Sequence, residues 1–129
     1  MRIAVPCEDE RGLDSSVSTH FGRARYYVLV DVEGVRISSW KVVEVPFEEH
    51  GPGDIPNFLR QHGVDLVLAY GMGPRAQGFF AQMGIKVITG VHGNVGEAVK
   101  AYLEGRLAVD KDWRDRPTFK RHEECPGHG

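Results

Sequence analysis

Two short stretches carry side chains able to do chemistry: "STHFGRARYY" at residues 18–27 and "YGMGPRA" at residues 70–76. In the first, His20 stands in a loop-like run with Ser18, Phe21, Gly22, Arg23 and Arg25 and not on an apolar face. An imidazole there can ligate iron or another transition metal, or it can make a loop hydrogen bond; the residue types leave both readings open. In the second, Gly71 and Gly73 flank Met72, and Pro74 and Arg75 follow. Glycine permits a tight turn and close backbone approach to a ligand, and proline suits the first position of a helix. The N–H groups of such a helix start, with the guanidinium of Arg75 beside them, favour an anion. A third stretch, "TGVHGNVGEA", repeats the arrangement with Gly90, His92 and Gly93 ahead of Asn94, and two such starts side by side would form an anion-friendly rim. Each turn taken alone is also what a tight strand-to-helix connection needs.

Neither turn has the chemistry of a nucleotide loop. No lysine follows the glycines as GxxxxGK[ST] requires, and "GMGPRA" has Ala76 where a dinucleotide fingerprint has its third glycine. No acidic residue ends a following strand to hold a ribose. Nuclease chemistry needs carboxylates that jointly hold divalent cations, and "RIAVP" carries none, while Asp65 lies at the wrong end of its strand. Other metal-capable side chains are Cys7, after the first strand, and His122, Cys125 and His128 near the C-terminus. Thiolate with imidazole suits iron, zinc or copper, but three such groups without a CxxC partner do not close a site, and a cysteine ending a core strand also serves as a small buried hydrophobe.

Which elements could bring these stretches together follows from the apolar patterning. "RIAVPC" reads as a buried strand, and "ARYYVLVDV" and "VRISSWKVVEV" read as an antiparallel hairpin turning at Glu33 and Gly34. "DIPNFLRQHG" follows as a helix; then strand and helix alternate through "VDLVLAY", "PRAQGFFAQMG", "IKVITG" and "NVGEAVKAYLEG". Alternation at this spacing implies parallel strands joined by right-handed crossovers. The result is an α/β mixed five-stranded sheet of order 3-2-1-4-5, with strands 1–3 antiparallel, strands 1, 4 and 5 parallel, and helices on its faces. The carboxyl ends of the parallel strands then open on one edge, where an α/β sheet holds its ligands. Residues 1–107 are read as the folded domain, and residues 108–129 lose periodicity and read as a flexible Cys/His-containing tail with Trp113 as its candidate anchor.

With Lys+Arg at 16 and Asp+Glu at 18, the net charge of -2 offers no basic footprint for nucleic acid or anionic membrane. No apolar run approaches a membrane span, and two cysteines suit a reducing compartment, so the expected location is cytoplasmic.

"MRIAVP", "STHFGRARYYVLVDVE", "YGMGPRAQGFFAQMGIKVITG" and "VGEAVKAYLEGRL" together resemble the dinitrogenase iron-molybdenum cofactor biosynthesis family, of the NifX and NifB C-terminal type. The resemblance implies a ribonuclease-H-like fold without nuclease activity, and a non-enzymatic protein that binds or carries iron-sulfur or iron-molybdenum-type clusters or their precursors. It implies cluster donor and acceptor proteins as partners, His20 as the metal ligand, and the "GMGPRA" turn as the anion cradle. The alternatives are a small phosphorylated ligand or nucleotide in the same cleft, or a ligand-free interaction module whose third strand pairs across a homodimer; the chain is otherwise a monomer.

Overall fold

A computed structural model describes residues 1–46, 51 and 53–116. In chain order they form β1 (Arg2–Cys7), β2 (Tyr26–Glu33), β3 (Arg36–Glu44), α1 (Asp54–Gln61), β4 (Leu66–Leu68), α2 (Pro74–Met83), β5 (Lys86–Ile88) and α3 (Val95–Leu103). The five strands make one sheet of order β3-β2-β1-β4-β5. The β1–β2 and β2–β3 pairs are antiparallel, and β1–β4 and β4–β5 are parallel, as the alternation of strand and helix signals implies.

Side-chain alternation divides the core between the two faces of the sheet. Ile3, Val5 and Cys7 of β1 point to one face, with Val28 and Val30 of β2, and α3 covers them with Val95, Ala98 and Val99. Ala4, Tyr27 and Leu29 point to the other, under Ile55 and Leu59 of α1 and Phe80 of α2. Asn94 caps α3, its side-chain oxygen accepting from the Glu97 N–H at 2.9 Å. Gly84, in the left-handed region at φ 75°, ends α2.

The hairpin turns one residue later than its sequence suggests. The turn residues are Gly34 and Val35, with Gly34 at φ 61°, and the β2–β3 register shifts between Asp31 and Val32. A bulge of this kind twists an edge strand, and Lys41 lies exposed further along it. Both features blunt strand addition, so β3 gains no support as a dimer edge.

The chain after α3 does not leave the body at residue 108. Val109 packs on the α3-side core, Trp113 is 3 % exposed, and Trp113–Asp115 form a 3-10 helix. A large aromatic side chain recovers enough buried area to hold a segment with no periodicity of its own. His122, Cys125 and His128 lie outside the described residues. Among the described residues no helix is long and apolar enough to cross a membrane.

Candidate functional site

The long connection from β1 to β2 crosses the carboxyl edge of the parallel strands and is fastened there on two sides. The Ser18 N–H donates to the Pro6 carbonyl at 2.8 Å, and the Val17 N–H donates to the Gly93 carbonyl at 2.7 Å. These bonds tie the connection to β1 and to the turn between β5 and α3. Three residues on, the chain enters the 3-10 helix Phe21–Arg23, whose Phe21 ring is buried edge to face against Tyr27 and Phe80, both at 5.7 Å between centroids. The Tyr27 hydroxyl donates to the Phe21 carbonyl. Phe80 belongs to α2, so the loop is pinned to the α3 turn at Val17 and to α2 at Phe21. His20 sits between these anchors. Its backbone N–H donates to Ser18 Oγ at 3.2 Å, and its ring Nδ1 is buried.

The start of α2 faces the same edge. Gly73 is its N-cap, with no side-chain hydrogen bond, and the first intrahelical bond runs from the Gln77 N–H to the Gly73 carbonyl at 3.2 Å. The N–H groups of Arg75 and Ala76 precede that bond and therefore point outward without an intrahelical acceptor. Met72, which the sequence places on the rim, is 2 % exposed in the core; its carbonyl accepts from Gln77 Nε2 at 2.8 Å. Phe21 likewise anchors its loop from the core, so the rim is made by the backbone beside these two residues and not by their side chains.

Gly22 and Gly73 hold the most informative positions. A Cβ built on either meets nothing within 4 Å, and neither has a positive φ. The fold itself therefore makes no demand for glycine there, and the missing side chains leave open space next to His20 and at the α2 start. Arg23 and Arg75 are exposed, and among the described residues neither makes an ion pair, whereas Arg25 is held to Glu44 at 2.8 Å.

The expected second helix start is partly occupied from within the protein. The Val95 N–H donates to the Ser15 carbonyl at 2.9 Å, and Asn94 takes the Glu97 N–H. The Gly12–Asp14 turn reaches α3 because Gly96 has no side chain; a Cβ there would lie 3.0 Å from the Leu13 carbonyl oxygen. Gly90, predicted on the rim, lies behind it: buried, at φ 82°, its N–H donating to the Tyr70 carbonyl at 2.7 Å and its carbonyl accepting from the Asp110 N–H at 2.8 Å. His92 is exposed on the turn beside Gly93. Among the described residues, the α2 start is thus the more open of the two helix starts at this edge.

Known proteins share this fold. The family model described as "Dinitrogenase iron-molybdenum cofactor" matches residues 1–105. The chain belongs to that family. An uncharacterized protein of Methanocaldococcus jannaschii is 30% identical over 110 residues, which are 83% of this chain and 89% of that one. The crystal structure of PH0822 superposes with a TM-score of 0.83 at 52% identity, over 88% of this chain and 99% of the other. The apo form of the orange protein from Desulfovibrio gigas superposes with a TM-score of 0.72 at 29% identity, over 85% and 92% of the two chains.

The name of the dinitrogenase iron-molybdenum cofactor family ties it to that cofactor, so the donor set of this member matters. Among the described residues no group of three or more His, Cys, Asp and Glu is arranged to hold a metal ion. Cys7, a candidate thiolate in the sequence, is 1 % exposed and donates from Sγ to the Asp9 carbonyl at 3.3 Å. Burial first, then the charges of Asp9 and Glu8, push its thiol up to about 11 despite the hydrogen bonds it receives. With no metal bound it is a packed, protonated thiol next to Val17, turned into the core. With Cys125 replaced by serine, Cys7 is expected to react with a thiol reagent such as DTNB only after denaturant is added. Full labelling of the native protein within minutes would contradict this placement.

Proposed function

We propose that this protein is a non-enzymatic carrier that binds an anionic iron-sulfur or iron-molybdenum-type cluster, or a precursor of one, between a donor and an acceptor protein in a reducing compartment. The observation that carries this reading is that the His20 loop and the uncapped start of α2 lie along one edge of the sheet, with open space at Gly22 and Gly73 and with Arg23 and Arg75 in no ion pair among the described residues. Such a site supplies one metal bond and a positive field, which balances the charge of a cluster without enclosing it. A single protein ligand leaves the other metal positions open to exchange, as transfer to an acceptor requires. Family membership supports the class of cargo.

Anaerobic incubation with ferrous iron and sulfide is expected to give charge-transfer absorption in the visible range. Loss of a metal ligand costs at least as much as loss of a ligand's hydrogen-bond partner, so His20→Ala should weaken uptake by about tenfold or more. No uptake by the intact protein from iron and sulfide or from a cluster-loaded donor would overturn the reading. Because an uncapped helix start with Arg75 also suits phosphate, thermal-shift measurements with inorganic phosphate and nucleotides form the second arm. A rise in melting temperature that disappears in Arg75→Ala, without any cluster uptake, would assign the site to a phosphorylated ligand instead.

A further inference from the structure

Behind the candidate site, residues 107–116 form a strap, and one residue of it joins both strand-to-helix turns. The Gly90 N–H donates to the Tyr70 carbonyl at 2.7 Å, and the Asp110 N–H donates to the Gly90 carbonyl at 2.8 Å. The Tyr70 hydroxyl donates to Asp110 Oδ2 at 3.3 Å, which closes a ring of three hydrogen bonds through Tyr70, Gly90 and Asp110. The Asp110 carboxylate is itself held from the other side: Arg116 donates from Nε to Oδ2 at 2.9 Å and from its terminal nitrogen to Oδ1 at 3.1 Å, and the Asp112 N–H donates to Oδ1 at 3.1 Å. Trp113, buried, fixes the strap to the body two residues from Asp112's neighbour Lys111.

Tyr70 is the residue from which the glycine turn departs. It is 8 % exposed, and Met72 is buried two residues later, so Gly71 is held between two fixed side chains and Gly73 follows at once. The height and tilt of the α2 start therefore depend on where Tyr70 lies. From this closed ring we infer that Asp110 is a positioning residue of the cargo site, holding the Tyr70-to-Gly73 backbone in the form that aims the α2 N–H groups outward. It acts through Tyr70 and touches no cargo, and its bearing on cargo rests on the carrier reading above. A contact that sets the site and one that only adds to stability differ in what they predict.

Two readouts separate these cases. In Asp110→Ala, amide exchange at Gly90 and Asp110 is expected to accelerate about tenfold, the loss of roughly one hydrogen bond, while the β1–β2 ladder keeps its protection. Iron-sulfide uptake should fall with it, and Asp110→Asn, whose side-chain oxygen can still accept from Tyr70, should restore most of both. Tyr70→Phe, which removes only the hydroxyl, gives the same local exchange pattern should Asp110→Ala fold poorly. The inference is overturned if the Gly90 amide keeps its protection, or if it loses protection while uptake stays at the level of the unaltered protein. Should the unaltered protein take up no cluster, the carrier reading fails by itself, and the exchange at Gly90 still decides whether the strap holds the turn.

Discussion

Gly90→Ala is expected to destabilise the protein by about 3 kcal/mol and to lower its melting temperature by roughly 10 °C. Two costs coincide at this residue. Its φ of 82° lies in the left-handed region, where an L side chain costs about 1–2 kcal/mol. A Cβ there would also stand 2.4 Å from the Asp110 carbonyl oxygen and 2.9 Å from its nitrogen, both backbone atoms that cannot rotate away. The chain must then move the strap outward, losing the Asp110-to-Gly90 hydrogen bond, worth about 1 kcal/mol, and loosening the burial of Trp113. Gly105→Ala is the control: φ is 72° and nothing lies within 4 Å of a Cβ, so only the conformational cost applies, about 1 kcal/mol. Calorimetry on both variants, with Trp113 emission followed in a Trp40→Phe background, measures the difference. Equal destabilisation of the two variants with Trp113 emission unchanged would show that close approach at Gly90 does not hold the strap.

The sheet and its order were legible because they follow from patterns a single sequence displays: β-branched runs, one hairpin turn, then strand and helix alternating through Gly63 and Gly84, both stops with positive φ. The hairpin turn lies one residue further on because Glu33 pairs with Arg36 as part of the ladder, which no local pattern announces. In the candidate site, chemistry was easier to read than orientation. Arg75 is exposed and His20 half-buried at the edge, but nothing in "HFGRA" or "GMGPRA" says that Phe21 and Met72 turn inward to anchor the backbone. Similar glycine patterns also hid different causes. Gly73 has an ordinary φ and open space, whereas Gly90 is required by the strap and Gly96 by the Gly12–Asp14 turn. Those requirements come from segments 20 and 83 residues away, taking Asp110 against Gly90 and Gly96 against Leu13, and long-range contacts of this kind leave no local trace. The one signal within reach was Trp113, an aromatic residue in an otherwise polar run, which the structure buries.

Gly73→Asp should move stability and cargo binding in opposite directions. Gly73 occupies the N-cap of α2 with φ −66° and ψ 160°, a conformation any N-cap residue adopts, and a Cβ there meets nothing within 4 Å. An aspartate side chain can accept from the N–H groups of the first turn and place its charge at the positive end of the helix, so the variant should be more stable by a few tenths to about 1 kcal/mol. The same carboxylate would occupy the donors that the carrier reading assigns to an anionic cluster and would add a like charge beside them. Loss of a hydrogen bond to a charged group costs about 1.5–3 kcal/mol, which corresponds to roughly tenfold to hundredfold weaker uptake. Gly22→Ala gives a milder companion, with stability unchanged and uptake reduced by steric contact alone, since its Cβ enters open space beside His20. Denaturant titration and iron-sulfide uptake on the same preparations test both. A turn that only joins β4 to α2 would show the gain in stability with uptake unaltered, because a capped helix start is simply a better connection. The two roles therefore predict the same sign for folding and different outcomes for cargo, and uptake by Gly73→Asp decides between them.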